Sequence, residues 1–572
     1  KLCKQTQIAR RLICPAHLLR LRAKGGHSAV RKKKISASAV GLALIFTLIF
    51  TWGLCTAADY GVYFDEPSEQ EILRQNLKEY AVRFGDGQAV AYYDRLGVQR
   101  ISESVEKDHG QSAYYLLAPA LRLAETDSAL LHWLWHAYSW GLFTLGLLGL
   151  YLLLREMGLG VGPALAGVAM LLLSPRLFAE GHYNNKDMAL LTLVLWCFYL
   201  ALRLWKKPTP LRALLFSLAG ALAANTKIVG LAIWGMLSVA ALVSVTARKQ
   251  WSRSAVLAAL TALVSFGGFF LLLTPAAWDG PLEYFQYVLK NASQFSRWTG
   301  VVLFRGQRYD QAIAPLPRSY LPRMMLYTLP LYFFPLCAVG QLAAAREWFR
   351  HPGKCLREPE KLLLLCATLL WALFMGYVIL RQPVIYNGWR HFYFLYAGFI
   401  VLAAWGLETL LRRAKGLNGA AIAGILALCM AADGVGILQN HPYQYAYYNF
   451  LAPADAEETM ELDYWDVSTV NALRLLLDSE RNEALPLTVS GMDDLSQLGL
   501  EQALSALTEE ENALLTVTEQ PEDASYLLMN TTYGRIYVVT VPRDYHVLAE
   551  IRSYGHTICT VYERMEKGTW RD

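Results

Sequence analysis

Tyr63-Phe64-Asp65-Glu66-Pro67 sets two adjacent carboxylates just after the first apolar stretch of the chain. A carboxylate at a membrane edge is partly desolvated, which suits it to act as a general base on an incoming hydroxyl. The bland alternative is a solvated acid cluster, since Glu69 and Glu71 follow in an expected helix. A second polar run, from Ser174 through Glu180, His182, Asn184, Asn185 and Lys186 to Asp187, joins two apolar segments. Polar groups at such depth need partners or a watery cavity, yet Asp187 would also serve as a helix N-cap. His182 alone does not make a metal site.

Cations complete the set. Lys227 sits in Asn225-Thr-Lys-Ile, and Arg390-His391 follows Tyr386-Asn-Gly-Trp, each at a short turn. Arg297, Arg305, Arg308, Arg318 and Arg323 share one long connection. Fixed cations facing carboxylates suit a phosphate leaving group on a lipid, and structural pairing with Asp65 or Asp187 is the competing use. An aromatic run from Asn440 to Asn449 leads into Glu461-Leu-Asp463-Tyr464-Trp465. An interfacial belt explains much of it, and Asp463, Tyr464 and Trp465 also suit the roof of a site.

The elements that position these residues are apolar spans. The chain of 572 residues is 55% hydrophobic and 17% charged, too apolar for an ordinary soluble protein. Eleven spans are expected, at about 38–56, 130–154, 157–174, 187–205, 209–224, 228–246, 254–273, 325–345, 361–380, 391–411 and 417–437. Eleven Lys/Arg precede the first, which predicts a cytoplasmic amino terminus and a retained anchor. Alternate loops are then net positive, among them those carrying Arg155, Lys206-Lys207, Arg248-Lys249 and Arg412-Arg413-Lys415. The reading divides the chain into a basic cytoplasmic segment 1–37, a transmembrane domain 38–437 with outer loops 57–129, 174–187 and 274–324, and an extracytoplasmic α/β domain 438–572. Strands are expected at Leu487–Ser490, Leu514–Thr518, Tyr526–Met529 and Ile536–Val541, with a hairpin at Tyr554-Gly555. Ser112 to Ala124 is expected to lie along the interface.

Charge and cysteine content narrow the classes. Residues 440–572 carry 8 Lys/Arg against 23 Asp/Glu, so nucleic-acid binding is excluded as an account of the basic segments. Nine cysteines show no metal spacing and no disulfide framework. No internal repeat is visible, which weakens a transporter reading.

In this order, FDEP at 64–67, SPRLFAEGHYNNKD at 174–187, NTKIVG at 225–230, LPRSYLPRMMLYTLP at 316–330, GWRHFYF at 388–394 and the 441–465 region resemble the GT-C membrane glycosyltransferases. The nearest group is family 39, which holds protein O-mannosyltransferases and lipid A aminoarabinose transferases. The resemblance implies an α-helical polytopic membrane protein of about eleven spans with a small C-terminal α/β domain. It implies inverting transfer of a sugar from a polyprenyl-phosphate donor to a protein, lipid or glycan hydroxyl, outside the plasma (inner) membrane. Asp65 would be the base, with Glu66 and Asp187 shaping the sugar site. Lys227, Arg305, Arg390 and His391 would hold the donor phosphate. His182, Asn185, Tyr386, Asp463, Tyr464 and Trp465 would contact substrate. No metal is expected to be obligatory, although other GT-C branches use one. A lipid transporter or flippase, or a non-catalytic assembly scaffold, remains the alternative from another class.

Overall fold

The computed structural model describes residues 37–293, 300–414, 416–480 and 486–565. The basic segment before residue 37, Arg297 and Lys415 lie outside the described residues. The chain forms two compact units, Lys1–Ile45 and Phe46–Asp572. Of the first, the described part is the start of helix α1 (Ala37–Thr56).

The protein is an integral membrane protein built mainly of helices. Among the described residues, eight helices are long and apolar enough to cross a bilayer. They are α1, α3 (Ser128–Glu156), α6 (Asp187–Lys206), α8 (Val229–Ala247), α9 (Arg253–Leu273), α12 (Pro359–Arg381), α13 (Phe394–Arg413) and α14 (Leu417–Gln439). Two bent pairs raise the number to ten, α4 (Val161–Leu172) with α5 (Pro175–Tyr183) at 70°, and α10 (Tyr320–Thr328) with α11 (Phe333–Arg350) at 118°. Proline explains both bends. Ser174, before Pro175, is extended at φ −80°, ψ 107°, and Pro330 follows the extended Leu329. The remaining expected span, 209–224, falls on α7 (Pro210–Thr226), which at 17 residues is shorter than the helices counted as spans and packs along α9.

Three of the connections carry structure of their own. The 174–187 connection is mostly helix, and all of α5 is buried. The connection 57–129 contains α2 (Glu66–Phe84), a helix at Gly87–Arg95 and a 3-10 segment at Ser112–Glu125. The last segment buries Tyr114, Leu117 and Leu121. Loop 274–324 folds a hairpin of β1 (Val301–Phe304) and β2 (Gln307–Asp310).

The C-terminal region is α/β. Strands β3 (Leu487–Gly491), β4 (Leu515–Val517), β5 (Tyr526–Asn530), β6 (Tyr545–Ser553) and β7 (His556–Arg564) form one sheet in the order β4-β3-β5-β7-β6. The first three are parallel, and β7 pairs antiparallel with β5 and β6. Helices α15 (Thr469–Ser479) and α16 (Asp494–Ala503) contribute Leu473, Leu476 and Leu500 to a core with Val489, Leu528 and Val561. Val62, next to the acid pair, belongs to the same core. The expected strand at Ile536–Val541 is instead the end of α17 (Thr531–Tyr537) and the turn and irregular chain that follow it. Asn530 caps that helix by accepting from Thr532 N, and Val538 ends it at φ 57°.

Candidate active site

Asp65 is held by backbone on both sides. Phe64 N donates to Trp465 O at 3.2 Å, and Glu66 N donates to Tyr63 O at 2.8 Å. Pro67 stands in the first turn of α2, where a missing N–H costs nothing. Asp65 occupies the N-cap of α2 without making a side-chain cap bond, so its carboxylate is directed elsewhere. A Cβ on Gly61 would strike the Val467 carbonyl, which is how closely this segment meets the C-terminal region.

Asp187 opens α6. Its backbone N–H donates to Asn184 Oδ1 at 2.9 Å, and Asn184 Nδ2 returns a bond to Asp187 Oδ2 at 3.1 Å. The buried carboxylate binds Lys227 Nζ through Oδ1. Lys227 ends α7 in extended conformation. Nearby Asn225 is fixed by accepting from Ser112 N and donating to Leu273 O, each at 3.0 Å. Arg390 lies in a short 3-10 turn after Gly388, whose φ of 72° suits glycine. Trp389 Nε1 anchors that turn on Thr328 Oγ1 at 2.9 Å.

These elements converge on a cavity of about 800 Å³. Arg390 Nη1 is 3.1 Å from Asp65 Oδ2 and 3.9 Å from Asp187 Oδ2, and Nη2 donates to the Tyr464 hydroxyl at 3.2 Å. Its guanidinium also sits 4.3 Å from the Trp465 ring centroid and 4.8 Å from that of Tyr386. Arg390 Nε has no hydrogen-bond partner among the described residues. Burial opposes its charge, but Tyr464, Asp65 and Asp187 outweigh it and hold the guanidinium protonated. Burial lowers the proton affinity of Lys227 against the pull of Asp187. His391 is pushed well below the usual histidine range by burial and then by Lys227 and Arg390, so it is a neutral imidazole. One wall of the cavity is apolar, with Val229, Phe374, Tyr377, Phe392 and Phe394.

The cavity brings together Asp65, Asn185, Asp187, Lys227, Tyr386, Arg390, His391, Tyr464 and Trp465. Four expected site residues lie elsewhere. Glu66 is buried between His132 Nδ1 at 3.1 Å and His136 Nε2 at 3.0 Å. His182 stacks between Tyr60 and Trp140, with centroids at 4.2 and 4.1 Å. Asp463 accepts from Val467 N and Ser468 N, shaping the turn that presents Tyr464 and Trp465, and burial raises its carboxyl above the usual range. Arg305 is exposed at the β1–β2 turn with φ 54°.

Some cavity residues escaped the sequence reading. Glu69 is buried and binds Lys186 Nζ at 2.9 Å and Gln111 Nε2; burial raises its carboxyl, and Lys186 then leads the contacts that bring it below the usual range. Its place one turn after Asp65 was the available signal. Trp465 Nε1 donates to Glu180 Oε1 at 2.7 Å, linking the roof to α5. Among the described residues, two groups could share a metal ion, Glu66 with His132 and His136, and Glu106 with Asp108 and His109, which line the cavity.

No protein-family model matches the chain, and comparison with curated proteins finds no match. Among solved structures, it is similar to ArnT from Cupriavidus metallidurans bound to undecaprenyl phosphate, at 14% identity and TM-score 0.45, covering 91% of this chain and 98% of that one. It is similar to the Archaeoglobus fulgidus oligosaccharyltransferase, at 13% identity and TM-score 0.44, covering 84% of this chain and 65% of the other. Similarity to the arabinofuranosyltransferase AftD from Mycobacteria is 14% identity and TM-score 0.41, covering 91% and 40%. With TM-scores below 0.5, none of these likenesses assigns a residue or an activity.

Proposed function

We infer that the chain is an inverting glycosyltransferase that moves a sugar from a polyprenyl phosphate to an acceptor hydroxyl on the outer membrane face. The observation that carries this reading is one cavity in which Asp65 meets Asp187, Lys227 and Arg390 beside an apolar wall. The wall suits a prenyl tail, the cations suit a phosphate, and the half-exposed Asp65 suits an acceptor arriving from water. The ordered sequence motifs support the same class, and the positive loops support an amino terminus in the cytoplasm.

In the reaction, Asp65 takes the proton from the acceptor hydroxyl. The acceptor oxygen bonds to the anomeric carbon as its bond to the phosphate oxygen breaks, inverting that carbon. The donor phosphodiester carries one negative charge and the released monoester gains a second. Lys227 and Arg390 therefore bind the product side more strongly than the ground state, the condition for lowering a barrier. Arg390 also orients Asp65, and Lys227 and Asp187 hold each other ready. No step is assigned to a metal.

A reconstituted assay with labelled polyprenyl-phosphate sugars tests this. Asp65→Asn is expected to abolish transfer, a fall of about 10² to 10⁴ for loss of a general base, while the protein still inserts. Near-normal turnover in that variant removes Asp65 as the base.

A further inference from the structure

Behind the cavity wall, three side chains point lone pairs at one spot. His132 and His136 are one turn apart on α3, so both imidazoles leave the same face. His132 Nε2 faces the Tyr60 carbonyl at 2.9 Å, and His136 Nδ1 faces the Ala57 carbonyl at 3.2 Å. A carbonyl only accepts, so those two nitrogens carry the ring protons. In a neutral imidazole the other nitrogen is then unprotonated. Both such nitrogens face Glu66, His132 Nδ1 at 3.1 Å from Oε1 and His136 Nε2 at 3.0 Å from Oε2. Gln70 Nε2 also donates to Oε1 at 3.2 Å. All three side chains are buried, and their ligand atoms lie within 4.8 Å of one another.

A lone pair held this close to a carboxylate oxygen repels unless positive charge lies between them. The two rings are buried with centroids 4.1 Å apart, so both nitrogens open toward the same carboxylate. A divalent cation ligated by both nitrogens and the carboxylate satisfies all three donors at once. The Tyr60 and Ala57 carbonyls then fix tautomer and ring angle, as outer partners of metal-bound histidines do.

We propose that Glu66, His132 and His136 bind a divalent transition ion of the zinc class. Two imidazoles and one carboxylate form a donor set of that kind, whereas magnesium and calcium prefer oxygen alone. The ion would pin the start of α2 to α3, directly behind Asp65. It is a positioning site, and it stands whether or not the chain transfers sugars.

Metal analysis of the full-length protein, purified by a tag without histidines, decides this. After loading with zinc sulfate and desalting, about one zinc per chain is expected to remain. The His132→Asn/His136→Asn double variant should lose it, whereas His109→Ala, which strikes the other carboxylate–histidine group, should keep it. Retention of zinc by the double variant overturns the assignment. Should that variant fail to fold, thermal unfolding of the wild type replaces it: a chelator must lower the midpoint and zinc must restore it. A wild type that takes up no zinc, or whose midpoint ignores both additions, equally overturns the site.

Discussion

Arg390 is the residue on which the site turns. It touches two carboxylates, a tyrosine hydroxyl and three aromatic faces, which only a planar, forked cation can do together. Arg390→Lys keeps the charge and loses that geometry. It is expected to raise donor KM roughly tenfold or more, measured by steady-state transfer at varied donor. Lys227→Ala leaves the buried Asp187 with only the more distant Arg390 and is expected to lower kcat, because charge on the departing phosphate is then less well matched. Asp65, Asp187, Lys227 and Arg390 were legible in the sequence because each is a charge at the end of an apolar span. Glu66 was legible as an acid but its surroundings were not. His132 and His136 lie inside an apolar segment, and their i, i+4 spacing points at Glu66 only once α2 is packed against α3.

At the scale of elements, the proline bends matter most. The 70° turn at Pro175 takes α5 off the line of α4 and leads the chain to Asn184 and Asp187. Hydropathy located these spans but ran them straight, because it registers apolar length and not backbone direction. It also read α5 as a loop, since Arg176, Glu180 and His182 look solvated until their partners are known. Two contacts between segments invite tests. Gly61→Ala places a methyl against the Val467 carbonyl and is expected to cost about 1–3 kcal/mol, read as a lower unfolding midpoint with weakened transfer. Glu461 binds Leu303 N at 2.8 Å and Asn387 Nδ2 at 2.5 Å through Oε1, and burial moves its carboxyl from 4.5 up to about 7. A raised acid stabilises the fold below its unfolded value and loses that contribution as pH rises through the folded one. Stability should therefore decline between about pH 4.5 and 7, and Glu461→Gln should flatten that part of the profile of midpoint against pH.

Across the molecule, the C-terminal sheet and the helices form one unit from Phe46 onward. Trp465 binds Glu180 on α5, Phe64 binds the Trp465 carbonyl, and Val62 enters the sheet's core. Limited proteolysis near residue 440 is thus expected to release no stable C-terminal fragment, and a fragment that stays folded on its own would contradict this. Burial is graded across the helices. The apolar windows of α6 and α13 are 72% buried, against 17% for α9 and 11% for α14, so the first two form the interior and the others present side chains outward. The cavity lies at the starts of α6 and α13. Its two unlike walls have a pharmacological consequence. An inhibitor that fills it must be an amphiphile, with a greasy arm for Val229, Phe374, Tyr377 and Phe394 and an anionic head for Lys227 and Arg390. Water-soluble sugar phosphates supply the head alone and forgo the contact area that would hold them there.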